Sequence, residues 1–411
     1  MNIPLLQKID RWVGVPLCFL LTLARRFFGR PLPPGPAAAR SILFIKLAEQ
    51  GSTVLAGAAI ARAVKMAGAQ NVFFITFQEN RFILDLLQLI PEENVITISR
   101  KTVFELASTT WRAMRRMRRL KLDAALDMEF FSRGSAIVAS LSGARVRVGF
   151  HAFFGAGPYR GDLMTHRLLY NPHLHTSAMF QVLVEALGCD PAELPTLHFP
   201  PPSAAHVLAP FVPRPEETAV VRAMLGTGPL ILLNPNASDL LPLRRWPGDR
   251  YVELARRLLA QFPEAQVGFT GAPEEAPETG RLVREVHSQR CICLGGRTTL
   301  RQLMVLYTLA EILVTNDSGP AHFAALTPIH VITLFGPETP ALFAARTPRH
   351  QALWLGLGCS PCVNAYNNRQ SPCRDNVCMT QITVEQVFQE VCRVYAARRG
   401  ATSAGQPMAA R

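Results

Sequence analysis

Short runs of consecutive apolar residues recur along most of the chain, each followed by a polar loop and then by a stretch with helical periodicity. The first is Ile42-Leu43-Phe44-Ile45, followed by a loop from Lys46 to Ser52 and a helix expected over 53–67. Strands are predicted at 71–76, 95–98, 124–128 and 147–150, with helices near 80–89, 102–120 and 176–187. Continuous apolar runs of this length suit strands buried on both faces. Strands alternating with helices indicate a parallel sheet covered by helices on both sides.

A proline-rich interval over 191–229 interrupts the alternation, and the inter-domain connection is placed there. The pattern then resumes with strands at 230–233, 266–270, 312–314 and 329–335 and helices at 249–261, 279–287, 300–309 and 320–326. A last helix over 383–398 is expected to pack back across the domains. The expected fold class is α/β, with two doubly wound Rossmann-like domains enclosing a cleft. The divisions are an N-terminal segment and linker (1–40), a first domain (41–195), a linker (196–228), a second domain (229–399) and a disordered tail (400–411).

The N-terminal segment has its own character. An apolar run over 13–24 is preceded by Lys8 and Arg11 and followed by Arg25, Arg26 and Arg30. It is shorter than the roughly 20 residues that span a bilayer, and arginines stand where small residues would mark a signal cleavage site. The expectation is an uncleaved amphipathic helix on the cytoplasmic membrane surface. It is set off by the stiff linker Pro31-Leu32-Pro33-Pro34-Gly35-Pro36.

The densest candidate chemistry is Thr315-Asn316-Asp317-Ser318-Gly319-Pro320-Ala321-His322, directly after an apolar strand. Asp317 or Ser318 is suited to cap the helix that follows, and Pro320 suits its first turn. Free amides at such a helix start favour phosphate. Asp317 and His322 lie beside them, in reach of sugar hydroxyls. The next strand ends in Gly336-Pro337-Glu338-Thr339-Pro340, so two neighbouring strand ends carry polar loops, where open α/β sheets bind ligands.

Charge and cysteine content narrow the classes. A net charge of +13 favours polyanionic partners. No zinc-finger or RNA-binding signature accompanies it, so nucleic acid is not an expected partner. Much of the excess sits in one stretch containing Arg112, Arg115, Arg116, Arg118, Arg119 and Lys121, read foremost as a solvated helix face and second as a membrane-facing or acceptor-facing patch. Nine cysteines, an odd number, argue against a disulfide framework and for a reducing compartment. Cys359, Cys362, Cys373 and Cys378 form C-x2-C-x10-C-x4-C, a spacing compatible with a structural zinc knuckle as well as with free thiols or disulfides.

Five segments in order resemble glycosyltransferase family 9, the lipopolysaccharide heptosyltransferases. They are Ile42 to Leu47 with Gly51; Asn234-Pro235-Asn236-Ala237-Ser238 leading to Arg244-Arg245-Trp246-Pro247; Thr270-Gly271-Ala272-Pro273-Glu274-Glu275; Thr315 to His322; and Leu334 to Pro340. The resemblance implies GT-B architecture, with two facing Rossmann-like domains. It implies a nucleotide-sugar donor, ADP-heptose foremost, in the C-terminal domain and a lipid-linked glycan acceptor in the N-terminal one. Carried over by position, Asn236, Ser238, Asp317, Ser318, Gly319 and His322 would hold the donor. Arg244, where the family usually has lysine, would neutralise the leaving diphosphate, so catalysis would need no metal. Lys46, Gly51 and Ser52 would form the acceptor-side loop.

Family members usually carry Gly-Asp where this chain has Gly51-Ser52, and that aspartate is the expected general base. Serine is a poor proton acceptor near neutral pH, and a missing base costs about 10²–10⁴-fold in rate. Glu49, three residues earlier, is the candidate replacement, its alternative being an exposed loop carboxylate. The second loop has Glu338-Thr339 where Thr-Asp is common. The expected function is inverting sugar transfer to a lipopolysaccharide core or related envelope glycan, by a cytoplasmic protein peripheral to the inner membrane. The alternative is a degenerate family member acting as a membrane-associated sugar-nucleotide-binding or scaffold protein.

Overall fold

The computed structural model describes residues 3–29, 39–155, 157–193, 202, 208–238 and 241–404. The proline-rich linker at 31–36, most of 194–207 and the last residues from 405 lie outside the described residues. The chain divides into two compact units. One comprises Met1–Leu208 with Val363–Ser371, the other Ala209–Cys362 with Pro372–Arg411.

The first unit is built on a parallel sheet of β1 (Ile42–Ile45), β2 (Val72–Phe77), β3 (Val95–Ile98), β4 (Ala124–Asp127), β5 (Val146–Phe150) and β6 (His166–Leu168). Its order is β3-β2-β1-β4-β5-β6. The second unit has β7 (Leu230–Asn234), β8 (Gln266–Phe269), β9 (Cys291–Cys293), β10 (Ile312–Asn316), β11 (His330–Phe335) and β12 (His350–Trp354), in the order β12-β11-β10-β7-β8-β9. Both are the same doubly wound arrangement. The first strand of each sheet pairs with the second on one side and the fourth on the other, all in parallel. Every residue of β1 and of β7 is buried, as the continuous apolar runs require. The winding reverses beside those strands, between β1 and β4 and between β7 and β10, and doubly wound sheets present ligand sites at the carboxyl ends of such pairs.

Several expectations are corrected. The linker assigned to 196–228 contains a helix, Pro215–Arg222, with Pro215 in its first turn and Glu217 accepting from the Arg214 amide. Residues 363–371 belong to the first unit although the rest of the C-terminal region belongs to the second. The last helix, Val384–Ala404, lies in the core of the second unit through Val387, Val391 and Tyr395. It runs on through 400–404, which had been assigned to a disordered tail. Strands β6, β9 and β12 and the helix Arg133–Leu141 lack a strong apolar signal and went unpredicted. Two of those strands have only three residues, too few for a pattern to register.

The N-terminus forms two helices, Ile3–Trp12 and Gly14–Phe28. One face packs on the first unit, contrary to the expected stand-off from it. Cys18 is fully buried in the core shared with Ala113, Met117 and Ala139. Asp10 accepts from the amides of Arg133 and Gly134 and pairs with the Arg133 guanidinium at 2.9 Å. Among the described residues no helix is long and apolar enough to cross a membrane.

Candidate functional site

Each unit gathers a buried charged cluster at its switch point. In the first, Lys46 directly follows β1 and its side chain is wholly buried. Its Nζ lies 2.9 Å from Oε2 of Glu129, which stands just beyond β4, and 3.5 Å from Oε2 of Glu49. Burial pushes the Lys46 ammonium below its ordinary value, and Glu129 opposes that shift. Glu129 is fixed from below. Its Oε1 accepts the amides of Leu47 and Ala48, both at 2.8 Å, and its own amide donates to Oδ1 of Asp127 at 3.0 Å. Asp127 in turn pairs with Arg160 at 2.6 Å, both wholly or almost wholly buried.

Glu49 has a left-handed backbone, with φ 67° and ψ 90°, a conformation costly for a residue with a side chain and concentrated at functional sites. Ser52 Oγ donates to its Oε2 at 3.0 Å, and Arg369 forms an ion pair with its other oxygen. Glu49 is therefore a held carboxylate rather than a loose one. Gly51 and Ser52 are buried in the helix Gln50–Leu55, and Ser52 positions the neighbouring acid. Burial pushes the Arg369 guanidinium down to about 10.

The second cluster is built by three loops. Arg244 sits in a single 3-10 turn (Pro242–Arg244), Asp317 follows β10 and Glu338 follows β11. Nη2 of Arg244 lies 2.7 Å from Oε2 of Glu338, and its Nε 3.4 Å from Oδ2 of Asp317. Both carboxylates are nearly inaccessible, Asp317 at 3% and Glu338 at 1% exposure. Burial pushes both carboxyls upward and Arg244 pulls them back, while the neighbouring Asp317 charge adds to the rise at Glu338. One guanidinium thus faces two acids.

Asn316 braces these loops. Its Oδ1 accepts the Trp246 amide and the Tyr251 hydroxyl, both at 3.1 Å, and its Nδ2 donates to the carbonyls of Pro235 and Asn236 at 2.9 and 3.2 Å. Asn236 Nδ2 donates to the Thr270 carbonyl at 3.2 Å. Gly271 permits this approach, since a Cβ there would stand 2.7 Å from Asn236 Nδ2. Ser238 lies on the exposed side of its loop, its carbonyl accepting from the Leu241 amide. Arg245 turns away from the cluster and donates to the Ala237 carbonyl at 2.8 Å.

The helix after β10 is only Gly319–Ala324, and no side chain caps it. Ser318 instead donates to the Asn316 carbonyl at 3.2 Å, so the expected cap does not form. His322 is buried on this turn, and Gly319 abuts the Phe323 ring. The cysteine segment backs the Glu338 loop, Cys362 donating its amide to the Pro337 carbonyl at 3.0 Å. All four cysteines are free thiols, and burial, with its cysteine neighbours, pushes Cys378 up to about 11. Among the described residues no group of three or more His, Cys, Asp or Glu side chains is placed to hold a metal ion, so the spacing suggestive of zinc is not matched by such a cluster.

Glu129, Asn316 and Arg369 were missed. The switch-point rule applied to the end of β4 would have found Glu129, and an asparagine inside an apolar strand end was a usable signal for Asn316. Nothing near Arg369 in the sequence points to Glu49.

Two units, each a parallel six-stranded sheet with flanking helices, are the GT-B fold. The chain superposes on the structure of Escherichia coli ADP-heptose LPS heptosyltransferase II with a TM-score of 0.63 at 19% identity, covering 87% of this chain and 99% of that one. It superposes on a glycosyl transferase family 9 structure from Veillonella parvula with a TM-score of 0.65 at 17% identity, covering 87% and 97%. The family model for glycosyltransferase family 9 (heptosyltransferase) matches residues 110–371, more than half of the chain, and the protein belongs to that family. Among curated relatives, lipooligosaccharide heptosyltransferase 2 of Haemophilus influenzae is 34% identical over 29% of this chain and 34% of its own length. Lipopolysaccharide heptosyltransferase 2 of Salmonella typhimurium is 33% identical over 27% of this chain and 32% of its own. The chain spans about a third of the length of the curated relatives it matches.

Proposed function

We propose that the protein transfers a heptose or related sugar from a nucleotide-diphosphate donor to a lipopolysaccharide core or other lipid-linked envelope glycan, with inversion at the anomeric carbon. The observation that carries this reading is the Arg244–Asp317–Glu338 cluster, formed by three switch-point loops inside the region matched by the family. ADP-heptose is the proposed donor, because a structural relative is described as an ADP-heptose enzyme.

In the proposed step the Glu49 carboxylate accepts the proton of the acceptor hydroxyl as its oxygen bonds to the anomeric carbon. The bond from that carbon to the diphosphate breaks, and the diphosphate leaves with the electron pair. Arg244 meets the charge that develops there, a role worth about 10²–10³-fold for one well-placed donor. Asp317 and Glu338 are acceptors for donor hydroxyls, with Asn236, Ser238, Ser318, Gly319 and His322 completing the donor side. Lys46 and Arg369 orient Glu49, while Gly51 and Ser52 shape the acceptor loop. A fixed cation already faces the leaving group, so transfer is proposed to proceed in the presence of chelator. A structural zinc on the four cysteines is a separate proposal. It would show as one equivalent of tightly held metal in reduced protein. The acceptor is lipid-linked, which places the protein at the cytoplasmic face of the inner membrane.

Calorimetric titration with ADP-heptose and with UDP- and GDP-sugars tests the donor site. Selective binding that Asp317→Ala abolishes is expected, and absence of binding to any sugar nucleotide by folded protein overturns the reading. In transfer assays, Glu49→Gln is expected to lower kcat by about 10²-fold or more while donor affinity stays unchanged. Unaltered turnover would remove Glu49 from the mechanism.

A further inference from the structure

The first unit carries a second feature that sugar transfer does not use. Winding from β3 to β4 and from β4 to β5 places the helices Val103–Leu120 and Arg133–Leu141 on one face of the sheet. Arg118 of the former donates to the Leu141 carbonyl at 3.3 Å. The N-terminal helix Gly14–Phe28 extends this layer beyond Arg133–Leu141, with Thr22 Oγ1 accepting the Asp162 amide at 2.9 Å and Arg25 pairing with Asp162 at 3.1 Å. Cys18, Met117 and Ala139, one from each helix, share a single core cluster beneath.

The outward side of this layer is unusual. Of the fifteen large apolar side chains exposed among the described residues, eight lie on the N-terminal helices and on Val103–Leu120, and a ninth, Val13, joins the two N-terminal helices. Trp12, Phe19, Leu20 and Phe27 fall on one stripe, opposite the buried Cys18 and Thr22, with Phe28 beside it at 86% exposure. On the other helix Phe104 (81% exposed) and Trp111 (54%) stand out, and the guanidinium of Arg115 stacks 4.7 Å from the Trp111 ring. On helices of the second unit some arginines are paired with acids, as in Arg281 with Glu278 and Glu285 or Arg257 with Glu385. Among the described residues Arg112, Arg115 and Arg119 form no ion pair, and Glu105 is the only acid on their helix.

Exposed aromatic rings among arginines free of carboxylates match an interface that is apolar within and anionic at its surface. Such surfaces hold amphipathic helices by apolar burial together with attraction of basic side chains. We propose that the outward face of this layer, formed by Gly14–Phe28 and Val103–Leu120 together, docks on an anionic lipid surface. The N-terminal helices supply the inserted rings and the longer helix supplies most of the charge.

The test is co-sedimentation of the full-length protein with phosphatidylcholine vesicles, with and without phosphatidylglycerol, at low and high salt. The vesicles contain no acceptor glycan, so the result is independent of the transfer reading. Binding is expected on phosphatidylglycerol-containing vesicles and should weaken as salt screens the arginines. Arg112→Glu/Arg115→Glu/Arg119→Glu should lower partitioning at least tenfold, each basic group near such a surface being worth about fivefold. Phe19→Ser/Phe27→Ser should lower it comparably and leave the salt dependence in place. Melting curves establish that both variants are folded. Three results overturn the proposal: no sedimentation with anionic vesicles, equal partitioning of wild type and both variants, or a concentration-dependent dimer that the variants dissociate without any vesicle binding.

Discussion

The two charged clusters occupy equivalent places in equivalent sheets, yet they are balanced differently. In the first unit two cations, Lys46 and Arg369, face two acids, Glu129 and Glu49. In the second, one guanidinium, Arg244, faces two acids, Asp317 and Glu338. The balanced cluster holds its carboxylates in place by hydrogen bonds and ion pairs, which suits orientation of a bound hydroxyl. The unbalanced cluster has a surplus of buried acid, and burial drives both carboxyls upward. A shared fold therefore does not dictate a shared electrostatic state. That state is set by a few loop residues.

The sharpest way to break the comparison is to remove the Arg244 guanidinium. Arg244→Ala is expected to lower turnover by about 10²–10³-fold. It should also destabilise the fold by roughly 3–5 kcal/mol, because two buried acids lose their counter-charge. Arg244→Lys should recover part of both losses, the ammonium reaching one acid but not forking to two. Steady-state kinetics and urea unfolding read the two effects. If stability falls with turnover intact, Arg244 is a structural cation only.

Asn316→Ala attacks the brace and not the charges. The Trp246 amide, the Tyr251 hydroxyl and two carbonyls lose their partner in a buried setting. A loss of about 3 kcal/mol in urea unfolding is expected, accompanied by weaker donor binding. A change near zero would show that the three loops are held by packing alone.

The surplus acid predicts a pH dependence. With the Glu338 carboxyl raised above its ordinary value of 4.5, the folded chain keeps a proton that the unfolded chain has released. Its contribution is fully present below that ordinary value and is lost as pH rises through the raised one, so stability falls with rising pH across that window. Nucleotide-diphosphate affinity should fall in the same direction, because ionised Glu338 adds negative charge near the proposed diphosphate. Glu338→Gln should flatten both profiles, and an unchanged slope would exonerate Glu338. The smallest effect is expected in the balanced cluster. Ser52→Ala removes one hydrogen bond to Glu49 and should cost about fivefold in kcat, near 1 kcal/mol. A loss of hundreds-fold would instead assign Ser52 a direct part in the chemistry.

Much of the fold was legible along the chain, for a definite reason. The central strands β1, β7 and β10 are buried along their whole length and must be largely apolar, so they stand out as runs. Edge strands such as β9 and β12 are short or partly exposed and carry no such constraint. The unpredicted helix Pro215–Arg222 lay hidden because prolines mark both linkers and helix starts.

The candidate site was legible only in part. Asp317 and Arg244 stood in recognisable loops, and the order of those loops along the chain pointed to the family. Sequence alone determined the strand–helix alternation and the amphipathic character of the N-terminus, because each depends on neighbours close along the chain. Only tertiary structure decided that Glu338 and Asp317 share one guanidinium, that Arg369 reaches Glu49 from 320 positions away, and that the N-terminal helix packs on the first unit while its other face stays open. Those are long-range pairings, in which burial and charge act together between residues that no local pattern connects.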